Sequence, residues 1–145
     1  MQQQTTKELY AYWDHIRNRQ IAPRRFQVEP AKIPQLLRET FIAECEHAHH
    51  VPFRLAGTQI CHHFGRELRG TDLLELWTHE DRITLSSMIQ NIIGDGAVVH
   101  GNFIAMTDTN REAIFEFVLL PLIHTGNDVN RILGAFTTID QPFWL

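Results

Sequence analysis

The chain has 145 residues, the length of one domain, and its 43% hydrophobic and 21% charged residues are typical of a folded globular protein rather than a disordered one. A formal net charge of −4 argues against nucleic acid or an anionic membrane as a partner, and no apolar stretch is long enough to span a bilayer. Two cysteines cannot build a disulfide framework, and the polar N-terminus lacks the order of a signal peptide, so the sequence indicates a cytoplasmic protein.

The first predicted element is an amphipathic helix within residues 1–20. Thr5 and Glu8, three residues apart, fit a capping box at its start. Apolar residues then follow at i, i+3, i+4 and i+7, namely Leu9, Tyr12, Trp13 and Ile16. Such a stripe must be covered, either by this domain itself or by a second copy of the chain.

From Ile21 to Pro34, three prolines predict an irregular connector, which leads into a short helical turn near residues 35–38. Residues 39–46 and 51–57 then predict two strands of a hairpin, joined by a histidine-rich loop. After this hairpin, Thr58 is a candidate cap for a short helix that Gly65 would end.

Residues 70–77 predict a further brief helix, and the longest helix of the chain is expected directly after it. Thr78 and Asp81 resemble a capping box at the start of the long helix. Its apolar residues again fall at helical spacing, namely Leu85, Met88, Ile89 and Ile92. Residues 94–96, with two glycines, predict its end.

From Ala97 onward the apolar period changes from 3.6 to 2, which predicts strands at Ala97–Thr107, Glu112–His124 and Arg131–Asp140. Alternate positions place one set on the core side, namely Val99, Phe103, Phe115, Phe117 and Leu119. A second set falls on the opposite side, expected to be partly in water: His100, Asn102, Glu112 and Glu116. The whole order predicts an α+β fold, with five antiparallel strands and helices packed on one face.

The segments 53–58 and 64–77, with 117–122 and 133–136 near the end, resemble a family of short alphaproteobacterial PAS proteins, formerly catalogued as a domain of unknown function. The likeness runs from about Tyr12 to Leu145. It implies a PAS domain over residues 21–145, preceded by the helix of residues 1–20. It also implies a stand-alone sensory module that binds a small molecule between sheet and helices and acts through a partner protein. PAS domains often pair through an N-terminal helix, so the resemblance further implies a homodimer through the stripe of Leu9, Tyr12, Trp13 and Ile16. The alternative is that this stripe packs on the domain's own sheet.

Nine residues come from the elements that line PAS cavities, and we expect them to form the ligand site: Phe53, Leu55, His63, Met88, Ile92, Val99, Phe103, Phe117 and Phe136. The alternative is that they only fill the core of an interaction or dimerisation module. Arg54 is expected to point outward, toward a carboxylate such as Glu67. The resemblance implies no cofactor. Haem-binding PAS domains use a histidine on the long helix, and here that helix has only His79, at its very start. In light-oxygen-voltage domains the flavin reacts with a cysteine, and Leu68 stands at the corresponding position here.

The histidine-rich stretch is the remaining candidate for chemistry. Cys45, His47 and His49 alternate along a strand, with His50 adjacent, and such side chains are ligands that zinc accepts. Residues along one strand do not converge on a tetrahedral site, so we interpret them as solvated histidines rather than a metal centre. The sequence also carries no nucleophile elbow and no phosphate-binding glycine loop, which predicts that the protein is not an enzyme.

Overall fold

A computed structural model of the protein describes residues 1–139, which contain one five-stranded sheet in the order β2-β1-β5-β4-β3. The strands are β1 Thr40–Glu44, β2 Phe53–Ala56, β3 Val99–Met106, β4 Glu112–Leu122 and β5 Arg131–Thr138. Every neighbouring pair is antiparallel, which confirms the predicted fold class. The predicted extension of the last strand to Asp140, and the resemblance beyond residue 139, lie outside the described residues.

The helices are α1 Gln4–Arg17, α2 Thr58–Phe64 and α3 His79–Asp95. The brief helix predicted before α3 is a 3-10 turn at Leu73–Leu76, begun by Asp72, whose side chain accepts a hydrogen bond from Leu74 N. Thr78 caps α3 as predicted, since its side chain accepts from Asp81 N. Among the helices of residues 1–139, none has the length and apolar content that a bilayer crossing requires.

The sheet is covered on both faces. The inner face packs against α2, the 3-10 turn and α3, and the outer face packs against α1 and residues 28–36. Alternation along β4 serves both layers, because Phe117 and Leu119 point inward while Val118 and Leu120 point outward, and all four are buried. The nearly continuous apolar run of β4 is typical of a strand buried on both sides.

Glu116 was expected on a partly wetted side, and instead it is only 4% exposed. Its carboxylate lies at the start of α1 and accepts hydrogen bonds from Gln2 N at 2.8 Å, from Gln3 N at 3.0 Å and from the Thr6 hydroxyl. The predicted capping box is wrong, because the helix begins after Gln3, Thr5 lies inside it and no side chain caps its first amides. A carboxylate from β4, 110 residues away from Thr6 in sequence, instead binds the two amides that precede the helix and the Thr6 hydroxyl in its first turn.

Two residues of the α1 stripe, Leu9 and Trp13, are fully buried on the outer face of their own sheet. The indole Nε1 of Trp13 donates to the carbonyl of Pro121 at 2.8 Å, which fixes the helix against β4. Tyr12 and Ile16 are half-buried beside them. For Leu9 and Trp13 the structure thus corrects the expected dimer contact: their own sheet already covers them, and no surface remains for a partner.

Candidate functional site

The space between the inner face and its helices is occupied by aromatic rings. The indole of Trp77 stacks on the ring of Phe103, with ring centroids 3.8 Å apart and an interplanar angle of 13°. The rings of Phe117 and Phe136 meet Trp77 edge-on at 5.5 and 5.6 Å. Trp77 sits between the 3-10 turn and the cap of α3, so the backbone at this junction directs the indole onto the sheet.

A second group of rings continues this packing toward β1 and β2. Phe41 contacts Phe53 edge-on at 5.3 Å and Phe136 at 4.6 Å. Gly134 allows this, because a Cβ atom there would stand 2.3 Å from the Phe41 ring and 2.7 Å from the backbone oxygen of Val118. The inner core is therefore a connected aromatic cluster, which gains edge-to-face and stacking energy beyond its buried area.

Five of the nine predicted ligand residues lie together in this inner core, and each is at most 4% exposed: Phe53, Ile92, Phe103, Phe117 and Phe136. Val99 is half-buried against the same cluster. The sequence-based prediction grouped these residues as the structure does, but it did not include Trp77, the ring at their centre. Its position directly before the capping Thr78 was the available signal, because an apolar residue there often packs against the helix that follows.

Met88 is half-buried and lines a narrow cleft of about 170 Å³ between α3 and β3. The inner end of this cleft is formed by Phe103, Phe117 and Trp77. His100, on β3, also lines the cleft. The cleft connects solvent with the aromatic cluster. A flexible methionine at such a place can change rotamer at low cost.

Leu55 lies on the outer face, 47% exposed, and not in the inner core with Phe53. Strict alternation places the two residues on one side of a strand, but the register between β1 and β2 shifts. Ile42 pairs with Leu55 while Ala43 pairs with Phe53, so Arg54 is the extra residue of a β-bulge. The bulge turns Leu55 away from the helices, and its inclusion in an interior ligand site is wrong.

His63 lies on α2, where its ring meets Phe115 edge-on at 5.3 Å. Burial lowers the pKa of this imidazole below its usual 6.5, and the neighbouring His62 acts in the same direction. At neutral pH the ring is therefore uncharged. It packs at the margin of the aromatic cluster as a weakly polar aromatic group.

Arg54 points outward, as expected, but its partner differs from the expected one. Its guanidinium pairs with Glu44 on β1 at 3.3 Å. Glu67 instead accepts a hydrogen bond from the backbone amide of Arg69 at 3.0 Å. The bulge in β2 aims Arg54 across the outer face toward β1, which explains the change of partner.

The thiol of Cys45 is fully buried in the inner core. Burial raises the pKa of this thiol to about 12, so the metal-binding thiolate form is strongly disfavoured. His49 and His50 point to different partners, since His49 Nδ1 lies 3.2 Å from Ser86 Oγ and His50 Nδ1 lies 3.4 Å from Asp72 Oδ2. Across residues 1–139, no three histidine, cysteine or acidic side chains converge as a metal site.

Solved PAS structures share this fold. The PAS domain of a protein from Colwellia psychrerythraea has a TM-score of 0.59 at 9% identity, over 75% of this chain and 95% of that one. The LOV protein of Rhodobacter sphaeroides has a TM-score of 0.59 at 11% identity, over 72% of this chain and 61% of that one. The PAS domain of an HTR-like protein from Haloarcula marismortui has a TM-score of 0.55 at 13% identity, over 75% of this chain and 90% of that one. Likeness at this identity shows the fold alone.

Among curated proteins, none matches the chain significantly. The sequence matches the family PAS_5, described as PAS domain, over residues 1–137. PAS domains are a class of signalling and sensory modules, and no enzyme family is indicated. Because the match takes in α1, the sheet and the aromatic inner core, the chain belongs to the PAS_5 family of PAS domains.

Proposed function

We propose that this chain is a signalling PAS module that acts through protein contacts, with an interior filled by its own side chains. The observation that carries the proposal is the indole of Trp77, which stacks on Phe103 and occupies the space between sheet and helices. Because this ring already fills the space, the signal would act on the protein through its surface. We also propose that the chain is not an enzyme and that it acts in the cytoplasm, where its cysteines stay reduced.

The two faces of the sheet support a relay. On β4, Phe115 and Phe117 carry their rings into the inner core, while Glu116 between them holds the start of α1 on the outer face. A displacement of this strand changes both contacts at once, since one backbone carries all three side chains. Contact with a partner protein on one face would thereby alter packing on the other.

Native mass spectrometry of the gently purified protein, followed by thermal shift across a metabolite panel, tests the proposal. We expect the mass of the polypeptide alone and no reproducible stabilisation, because a ligand that binds only the folded state must raise its stability. A bound small molecule, or a stabilisation that rises with ligand concentration, would contradict a filled interior.

A second candidate is a small-molecule sensor, and the cleft between α3 and β3 favours it. Met88 lines this cleft, and the rings of Phe103, Phe117 and Trp77 form its inner end. A flat apolar ligand would enter there by displacing the indole and would contact Phe53, Ile92 and Phe136 behind it. Met88→Ala would then change ligand affinity in the thermal-shift assay, whereas Met106→Ala, at an exposed site on β3, would not.

A homodimer remains a separate proposal. Because the sheet covers Leu9 and Trp13, a dimer would form either through the half-buried Tyr12 and Ile16 or through a surface outside the α1 stripe. Tyr12 is itself engaged, because its hydroxyl accepts a hydrogen bond from Glu29 N at 2.8 Å.

A further inference from the structure

A groove on the outer face, beside β2, combines an apolar floor with a rim of arginines. Ile42 and Leu55 form the floor. Four arginines lie on the rim beside His124, namely Arg25, Arg54, Arg69 and Arg131. The groove encloses about 680 Å³. We name it the arginine groove. Its residues come from the connector, from three strands and from the loop after α2, so only the folded chain assembles it.

The charge of this surface is opposite to that of the chain. The protein has 13 Lys and Arg residues and a net charge of −4, yet four arginines lie around one groove. A single carboxylate, Glu44, serves two of them, at 3.3 Å from Arg54 and 3.9 Å from Arg131. Within residues 1–139, no carboxylate lies within 4 Å of the guanidinium of Arg25 or Arg69. The rim therefore attracts anions.

An apolar cleft of about 240 Å³ adjoins the arginine groove and shares Arg25, Ile42 and Leu55 with it. Its walls are formed by Val28, Ile33 and Leu133. Leu55 is 47% exposed at the junction of the two, because the bulge at Arg54 turns it outward. An occupant that spans both parts would place an apolar group in the cleft and negative charges among the arginines.

The free edge of β2 is already paired at Phe53. Phe53 N donates to Thr71 O at 2.9 Å, and Gly70 N donates to Phe53 O at 2.8 Å. These bonds block strand addition at Phe53 and favour recognition by side chains. Arginines suit this role, because their planar guanidinium groups bind carboxylates in a bidentate geometry.

We propose that the arginine groove binds an acidic peptide segment of a partner protein, with one apolar residue anchored in the adjoining cleft. The inference rests on the proposed function, since it names the surface through which the module makes its protein contact. An open groove favours an extended peptide over a small molecule, because small-molecule sites bury most of their ligand. Electrostatic complementarity of this kind speeds association and selects the partner.

A random decapeptide library displayed on phage, selected against the immobilised protein, tests the proposal. We expect enrichment of peptides that combine several Asp or Glu residues with a large apolar residue. The most enriched peptide is then synthesised with a fluorescein label, and its affinity is measured by anisotropy. The variant Arg25→Ala/Arg69→Ala should bind it about tenfold more weakly, whereas Arg19→Ala/Arg111→Ala, the same charge change at exposed sites elsewhere, should bind as the unchanged protein does.

The apolar anchor has its own matched pair. Leu55→Ser removes an apolar side chain that is 47% exposed in the groove, and Ile104→Ser removes one that is 45% exposed on β3. We expect only Leu55→Ser to lower the affinity for the peptide, by several-fold. Equal effects of the two variants would show that the loss is general and would overturn the anchor.

Other outcomes separate the occupants. Absence of acidic peptides from the selection, binding only to phosphatidylglycerol vesicles, or self-association lost in the Arg25→Ala/Arg69→Ala variant would each overturn a peptide in the arginine groove. Enriched peptides whose binding ignores both groove variants would move the contact elsewhere and leave the proposed function standing. A metabolite found by native mass spectrometry would contradict the filled interior, whatever the library selects.

Discussion

Glu116 holds the start of α1, more than 100 residues away in the sequence. On β4 it occupies a position between two inward-pointing rings, and the period of the strand alone predicts only that it points outward. The structure places its carboxylate at the N-terminal end of α1, where Gln2 N and Gln3 N, just before the helix, donate to it. Burial would raise the pKa of this carboxyl, but the hydrogen bonds from Thr6 and the two amides outweigh that effect and lower the pKa below its usual 4.5.

A lowered carboxyl pKa makes stability depend on pH with a known sign. The ionised Glu116 stabilises the folded state above pH 4.5, and this contribution disappears as the pH falls through the lower pKa of the folded state. Glu116→Gln should therefore lose about 1–3 kcal/mol of unfolding free energy at pH 7. The difference from the unchanged protein should shrink toward pH 3, as measured by urea denaturation at several pH values.

Glu112→Gln is the matched control, because Glu112 lies exposed on the same strand. It removes the same charge without removing a contact to α1, and we expect a change within about 0.5 kcal/mol. If both variants lose the same stability, or if the loss from Glu116→Gln is constant across pH, the carboxylate does not hold α1 in the way described.

At the scale of elements, α1 is the cover of the outer face. Leu9 and Trp13 pack on outward-pointing apolar residues of the sheet, which are Val118, Leu120, Leu122, Leu133 and Ala135. Burial of a large apolar side chain is worth about 1.5–3 kcal/mol. An amphipathic stripe predicts that a helix is covered, but it does not say by what, because a sheet and a second subunit offer the same apolar surface.

Deletion of residues 1–17 distinguishes these two covers. We expect the truncated protein to melt at a lower temperature and to associate nonspecifically, since the outer face becomes a large exposed apolar patch. Thermal melting with light scattering measures both effects. A truncated protein with an unchanged melting temperature that passes from dimer to monomer would instead assign α1 to a dimer contact.

At the scale of the whole molecule, the aromatic interior distinguishes a filled module from a sensor. Trp77 is the largest side chain at the centre of the cluster and is 5% exposed, with contacts to three phenylalanine rings. Because protein interiors pack at the density of organic crystals, removal of this ring leaves a void that its neighbours fill only in part. Such a void is apolar and accepts a molecule of matching shape.

Trp77→Ala should cost about 3–5 kcal/mol of stability and should create an indole site. We expect added indole to raise the melting temperature of this variant and to leave the unchanged protein unaffected. Phe26→Ala is the control, because Phe26 is 78% exposed and the loss of its ring leaves no interior void. If Trp77→Ala does not fold, Trp77→Leu with benzene allows the same comparison; stabilisation of the unchanged protein by either compound would contradict a filled interior.

The sequence by itself determined the elements and the fold class. Apolar spacing identified α1, α3 and the three long strands, and Thr78 marked the start of α3, because periodicity and caps depend on neighbours within one element. The motif residues around Gly57 and Gly65 also carried the PAS resemblance, which the family match confirms.

Only the tertiary structure decided which surfaces meet. A register shift of one residue at Arg54 moved Leu55 to the outer face, a carboxylate from β4 came to hold the start of α1, and Trp77 took the centre of the inner core. None of these follows from local spacing, because each depends on how strands pair and how layers pack between residues far apart in the chain. The arginine groove belongs to the same class, since four separate segments supply its rim.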